Sequence, residues 1–410
     1  MSSSSNSQPN MDEDERPKVD VELHASSFDS ISLYTHRADR KTVTKSGSNW
    51  GSEETELFRI CYKGTRDPRW PNSPPSSPLS NNSLWAEFVK NTDRILYRTN
   101  KEIRSHFRDL SRFFLALANL LRPSVASTST RSSERTLKAR QLPDQASKQS
   151  VHECIGSSSP TQPSSQESAY DPALNANDDD LDEERERKQA EVASSSLAAE
   201  FISLVIDVFL DQPISLKKRL AFRESPTKFI LANQNTVKSK CFDDGSIIWH
   251  EFDTVSQQWT LGKHVCSVET KPSFIQSDEE GKGKISAEMI PQYACELIGA
   301  VTQRTKDEPL KMNVSRWQPL IVTHSCYMTI LSTTFYPTYL EYIMGTSNEP
   351  DVDPPFLEIY CTKTHNLKTS VGRKNAAEDL LILCEKLRAD DRGGEVGDEE
   401  SDKEESDGGD

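Results

Sequence analysis

Between Ser195 and Asp390 the hydrophobic period switches repeatedly between helical and strand spacing, and a chain with that alternation is restricted to an α/β fold. Leu197 to Leu210 repeats its apolar residues at three- and four-residue steps, as an amphipathic helix does. Lys228–Ala232, Ser246–Asp253 and His264–Lys271 are short and rich in Ile, Val, Phe and Trp, which predicts three strands. A second helix is expected from about Pro291 to Arg304, with the proline in its first turn, where its missing N–H costs nothing. Leu320–Leu331 is a β-branched strand, expected to continue as a hairpin through Phe335 to Ile343. Phe356–Thr362 is a further strand, and Val371–Arg388 a closing helix behind Ser370. The succession is α-β-β-β-α-β, followed by extra C-terminal strands and a helix.

Outside that span the chain is far more polar. Only 34% of the residues are hydrophobic and the mean hydropathy is -0.68, so the apolar residues must be gathered for a core to form. Residues 1–82 are expected to be mostly disordered, with one short strand at Glu56–Tyr62 and a Pro/Ser-rich linker at 71–82. Residues 83–122 predict a long amphipathic helix or helix pair, whose Phe107, Leu110, Phe114 and Leu117 face should dock on the main domain. Residues 123–194 have no periodicity to bury and predict a disordered charged insert, 195–389 form the main domain, and 390–410 are an acidic disordered tail. The net charge of -15 is bipolar. The amphipathic helix carries Arg98, Lys101, Arg104 and Arg108 on its polar face, where they could follow a phosphate backbone or simply be solvated. The acidic tail and the Ser-rich segments could recruit protein partners.

Several classes of protein are not supported. Met1 to Pro17 carries neither a secretory signal nor a basic amphipathic presequence. The longest apolar run, Leu197–Leu210, is interrupted by Glu200 and Asp207 and is shorter than the ~20 residues of a membrane span, so no membrane association is expected. The eight cysteines lie far apart with no CxxC pair, which points to a reducing intracellular compartment, nucleus or cytoplasm. The histidines are too scattered for structural zinc. GxGxxG after a strand, GxxxxGK[ST] and GxSxG are all absent.

The most informative segment is Val265–Pro272, VCSVETKP. In a strand, Glu269 and Lys271 are two residues apart and share one face, while Cys266 and Val268 share the other. A carboxylate and an ammonium side by side at a strand end can hold a divalent cation and stabilise charge on a phosphate. The same pair can also be a surface ion pair of little energetic value. The pattern recurs at Glu186–Lys188 and Glu280–Lys282, in charged surroundings without strand character.

With its α-β-β-β-α-β order and this ExK strand, the domain resembles the PD-(D/E)XK nuclease superfamily, restriction-endonuclease-like in fold, and in particular the divergent nuclease-like domains of fungal proteins. The resemblance covers about Leu197–Leu331. It implies a Mg²⁺- or Mn²⁺-dependent nuclease acting on DNA or RNA, with Glu269 as a metal ligand, the Thr270 carbonyl as a possible further one, and Lys271 acting on the attacking water. Gln292, with Glu296 one turn later, matches the polar position on the helix after ExK, and Glu200 an acid sometimes used on the first helix. The resemblance also implies an acid near the start of the second strand. Asp244 opens that strand and Asp253 closes it, and both stand as candidates; Asp243 is a third. The alternative is a catalytically silent fold that binds nucleic acid or protein. Trp249, Trp259, Trp317, Phe335 and Tyr336 could stack on bases or pack in the core.

Overall fold

The computed structural model describes residues 43–64, 66–71, 79, 82–90, 95–122, 178–212, 217–233, 237–272, 276–277, 283–285, 287–307, 313–346 and 356–393. In chain order the elements are α1 (Ser52–Leu57), β1 (Ile60–Tyr62), α2 (Ser83–Phe88), α3 (Asn100–Phe107), α4 (Ser111–Leu121) and α5 (Asp178–Leu204), which runs on as a π-helical turn over Val205–Phe209. There follow β2 (Lys218–Arg223), β3 (Lys228–Asn233), β4 (Val237–Phe242), β5 (Gly245–Asp253), β6 (Gln258–Lys271) and the two-residue strands β7 (Gln276–Ser277) and β8 (Gly283–Lys284). Then come α6 (Ile290–Asp307), β9 (Arg316–His324), β10 (Tyr327–Phe335), α7 (Pro337–Met344), β11 (Leu357–Cys361), β12 (His365–Asn366) and α8 (Ser370–Gly393).

One large mixed sheet organises these elements, in the order β1-β11-β10-β9-β6-β5-β2, with β12 also paired to β10. β2, β5 and β6 form an antiparallel meander, and β9 lies parallel to β6. Parallel neighbours cannot be joined by a tight turn, and α6 supplies the crossover. Successive strand residues point to opposite faces, so both faces need cover. Cys266, Val268 and Ile321 pack beneath α2–α5 and α8, whereas Leu320 and Val322 pack beneath α1, α6, α7 and the β3–β4 ribbon.

The α/β class stands, and several expected elements are corrected. Lys228–Ala232 is not the first strand of the meander. It belongs to β3, which pairs only with β4 in a separate ribbon, and the meander position is taken by Lys218–Arg223. That strand is an edge, where charged residues are tolerated and only Leu220 is fully buried, so its hydrophobic signal is weak. The expected hairpin through Phe335–Ile343 is instead the helix α7, with Pro337 in its first turn and Gly345 left-handed (φ 75°) just after it. The hairpin turn lies earlier, between β9 and β10, where Ser325 takes φ 56°, so the expected single strand Leu320–Leu331 is two antiparallel strands.

Residues 43–64 and 66–71 belong to the fold rather than to a disordered arm: Trp50, Leu57, Phe58 and Ile60 are core residues, and β1 is an edge strand of the main sheet. The described residues of 83–122 hold three α-helices rather than one: the Thr99 side chain caps α3, and Arg108, with φ 42°, lies between α3 and α4. As expected, Phe107, Leu110, Phe114 and Leu117 are buried in the common core. The helix predicted from Leu197 starts at Asp178, inside the stretch taken for disordered insert. Within it Arg185–Phe209 is long and apolar enough to cross a membrane, contrary to the expectation, but half of its apolar window is buried inside the protein. Leu197, Phe201, Ile202 and Val205 there are core residues under the main sheet, as in a core helix. The remaining insert and the acidic tail beyond residue 393 lie outside the described residues, as do Cys154 and the Glu280–Lys282 repeat.

Candidate active site

The site forms because β6 outlasts its neighbour. Pairing with β5 ends at Gly245↔Val268, so Glu269, Thr270 and Lys271 are paired only with Val322, Thr323 and His324 of β9. The Thr270 N–H is thereby left without a β5 carbonyl, and Asp244 takes it up: its Oδ2 accepts from Thr270 N and Thr270 Oγ1, both at 2.8 Å. On the opposite face, Glu269 and Lys271 project toward α6. Their side chains are ion-paired, with Glu269 buried and Lys271 at the mouth of the site, 19% exposed.

Helix α6 brings Gln292 and Glu296, one turn apart, to the same place. Glu269, Lys271, Gln292 and Glu296 line one cavity of about 10 Å³, completed by Ser46, Gly47, Ser48, Cys241 and Phe242. That volume suits about one water molecule or one small ion. Glu269 Oε2 and Glu296 Oε2 are both buried with no hydrogen-bond partner, and the two side chains line the same small cavity. Two buried carboxyl groups, each with an unpartnered oxygen and facing one small cavity, are stabilised by taking up a proton or a cation.

The electrostatics follow from burial. Burial pushes the Glu269 carboxyl up to about 8, the charge of Asp244 adding to it against the pull of Lys271. Burial, then the charge of Glu269, holds Glu296 well above the usual carboxylate range. Burial opposes the Lys271 ammonium, but the Glu269 carboxylate more than offsets this, and its pKa is raised. Burial and mutual repulsion thus favour protonation of this glutamate pair over two bare charges, and the Lys271 ammonium is paired with Glu269. Behind them Tyr293 Oη and His324 Nε2 are 2.7 Å apart, which fixes the first turns of α6 against the end of β9.

The predicted residues divide between two places. Glu269, Lys271 and Gln292 share the cavity, together with Glu296. Asp244 does not line it. Held by Thr270, it faces a larger cleft of about 420 Å³ on the α5 side, lined also by Arg112, Ser195, Glu200 and Glu224. Glu200 reaches neither Glu269 nor the cavity, because its Oε1 accepts from Arg112 Nε and Nη2 at 3.0 and 2.7 Å. Asp253 is excluded as a partner of Glu269: it sits at the far end of β5, accepting from Val255 N and Ser256 Oγ in the turn. Asp243 is buried and accepts from Thr227 N. Arg98 is partly buried and Lys101, Arg104 and Arg108 are exposed on helices of the opposite layer of the sheet from Glu269. Trp249 and Phe335 are core residues, Trp317 donates to Asp67, Trp259 is half-buried, and Tyr336 is 47% exposed.

Ser46–Ser48 was invisible to pattern reading, being polar and far away in sequence. The Gln292 amide donates to the Ser48 carbonyl at 3.0 Å, and Trp50 donates to Ser239, which pins the segment over the cavity. Gly47 is required there, since a Cβ would lie 2.7 Å from both Cys241 Cβ and Cys295 Sγ. Gly47→Val is expected to cost about 1–3 kcal/mol through overpacking, measured by denaturant unfolding; unchanged stability would mean that the segment is not seated as described.

The donor set fits Mg²⁺, which is bound through one or two carboxylates plus substrate phosphate rather than by an all-protein cage. Among the described residues no group of three or more His, Cys, Asp or Glu side chains gathers around one point. No family model matches the chain, and no curated protein is significantly similar to it.

Proposed function

We propose that this chain is a Mg²⁺-dependent phosphodiesterase of the PD-(D/E)XK class, hydrolysing DNA or RNA, with Glu269 and Glu296 as the cation-holding acids and Lys271 beside the attacked phosphate. The observation that carries this is the buried Glu269–Glu296 pair, short of donors, with the Lys271 ammonium at its mouth. The succession α5, β2, β5, β6, α6, β9 supports the fold assignment, because it follows the αβββαβ order with the β3–β4 ribbon as an insertion. The seven described cysteines are free thiols with no disulfide among them, which goes with action in a reducing compartment, nucleus or cytoplasm.

Mg²⁺ bound by these acids would polarise a phosphoryl oxygen and make water more acidic. The protein's own groups do the rest. Glu269 and Glu296 would hold the cation, and their carboxyl groups would have to lose protons to do so. Lys271, half-withdrawn at the mouth, meets the charge that grows on the phosphate in the transition state, where a preorganised ammonium acts most strongly. Gln292, held by the Ser48 carbonyl, keeps its amide oriented at the cavity wall. A second reading, a catalytically silent binding module on this fold, is favoured by one observation, the retention of Asp244 in the other cleft by Thr270.

A pH experiment tests the pairing. Burial raises the Glu269 carboxyl to about 8 in the folded protein, against an ordinary 4.5 in the unfolded chain. The folded protein therefore binds more protons than the unfolded chain in that window, and metal-free stability should fall as pH rises from about 4.5 to about 8. Because the acids must lose protons to take up metal, apparent Mg²⁺ affinity should rise with pH over the same window, by up to about tenfold per unit. Titrating Mg²⁺ by calorimetry between pH 6 and 9, with thermal unfolding in parallel, checks both slopes. A pH-independent affinity would remove the proton-linked pair from the site.

A further inference from the structure

The chain is acidic, at net charge -15, yet the β3–β4 ribbon presents a face of one sign. Lys228 pairs with Phe242, Ile230 with Lys240, and Ala232 with Lys238, which places all three lysines and Ile230 on the same side of the ribbon. The lysines are exposed, Ile230 is 49% exposed, and among the described residues none of the three lysines is ion-paired. Lys306 adds a fourth cation at the edge, its ammonium donating to the Ile230 carbonyl. The reverse side is fixed: Phe229, Leu231, Val237 and Cys241 pack on α6, and Gly299 admits them so closely that a Cβ there would lie 2.8 Å from Cys241 Sγ and Phe229 Cβ. The ribbon is therefore a rigid platform. It ends at the cavity, because Cys241 and Phe242 line it together with Glu269 and Lys271.

We propose that the outer face of the β3–β4 ribbon is the docking surface for duplex DNA, with Lys228, Lys238 and Lys240 contacting the phosphate backbone and leading it to the mouth at Lys271. This rests on the proposed function for what happens at the mouth, but the ribbon's own evidence is charge complementarity, rigidity and continuity with the cavity. A duplex is favoured over a single strand because single-strand platforms offer aromatic rings for base stacking, and the described side chains on this face include only one ring, the half-buried Phe242. Lysines meet phosphates as point charges and confer no sequence preference.

The test uses the full-length chain in EDTA, so that binding is read without cleavage, by fluorescence anisotropy of a labelled 20-base-pair duplex at several salt concentrations. The triple variant Lys228→Gln, Lys238→Gln, Lys240→Gln changes only exposed side chains, and its folding is checked by thermal unfolding. Replacing three phosphate contacts should lower the slope of log K against log salt by about 3 and weaken binding roughly tenfold or more at 0.1 M salt. The control is Lys101→Gln with Arg104→Gln on α3, expected to bind as wild type. Failure of the wild type to bind the duplex, an unchanged slope in the triple variant, a larger loss in the α3 control, or tighter lysine-dependent binding of single-stranded DNA or duplex RNA would each overturn the proposal. Cleavage in Mg²⁺ is scored separately. Lysine-dependent binding without cleavage would keep the ribbon and remove the phosphodiesterase reading, while cleavage with lysine-independent binding would do the reverse.

Discussion

Glu269→Gln is expected to weaken Mg²⁺ binding sharply and to lower metal-dependent cleavage by about 100-fold or more, a loss typical of removing a preorganised charged group, while the fold survives. Survival is expected because the amide is nearly the shape of the acid: its oxygen can accept from Lys271 and its NH₂ can donate to Glu296. Lys271→Ala should leave Mg²⁺ binding largely intact and reduce turnover, since an ammonium acting on transition-state charge contributes to the chemical step rather than to ground-state affinity. Asp244→Asn separates the two candidate acid sets. If Glu269 and Glu296 hold the cation, its effect on Mg²⁺ affinity should be small, felt only through the hydrogen bonds to Thr270 and the charge near Glu269. A loss equal to that of Glu269→Gln would mean that Asp244 turns out of its cleft to become a ligand. Isothermal titration with Mg²⁺ and Mn²⁺ distinguishes these outcomes.

Arg373→Met is expected to be the most destabilising single substitution. Its guanidinium is fully buried and donates to four backbone carbonyls, those of Phe88 at 3.0 Å, Leu367 at 3.2 Å, Lys368 at 2.9 Å and Lys90 at 2.5 Å. It also lies beside the rings of Phe88 and Phe114, at 5.9 and 5.6 Å. One side chain thus ties α2 and the start of α8 together. Methionine fills much of the volume but leaves these carbonyls without donors, each costing about 1–3 kcal/mol, so the total should be about 4 kcal/mol or more. Arg104→Gln, on the exposed face of α3, should change stability by no more than about 0.5 kcal/mol. Thermal unfolding of the two variants checks the contrast, and a loss below about 1 kcal/mol for Arg373→Met would mean that α2 is not anchored through this residue.

What could be read from the sequence follows the strength of local signals. Helices α6 and α8 are long and apolar on one face, so their periods identify them, whereas Leu320–Leu331 reads as one β-branched strand because the turn at Ser325 leaves no Gly, Pro or Asn between β9 and β10. ExK was legible because Glu269 and Lys271 are on one strand, where a spacing of two fixes a common face. Contacts made across long sequence separation left no such trace. Ser46–Ser48 meets Gln292 over more than two hundred residues, and nothing local in a Ser/Gly run announces a cavity wall. Asp244 is a candidate because it opens the second strand, but pairing of β5 with β6 stops at Gly245, and its carboxylate takes the place of a missing ladder carbonyl for Thr270 instead. Edge strand β2 was missed because an edge needs only one buried side, and α7 because Tyr, Ile and Phe around Pro337 carry strand preference that tertiary packing overrides.

The central claim is metal-dependent hydrolysis at the Glu269–Glu296–Lys271 cavity. Its most direct test is incubation of the full-length protein with end-labelled single- and double-stranded DNA and RNA, in Mg²⁺, in Mn²⁺ and in EDTA, with Lys271→Ala alongside. The expected result is cleavage of at least one substrate that requires the divalent cation and drops sharply in the variant. Cleavage that persists in EDTA or is unaltered by Lys271→Ala, or no cleavage of any substrate by a wild type that also binds no Mg²⁺, would contradict it.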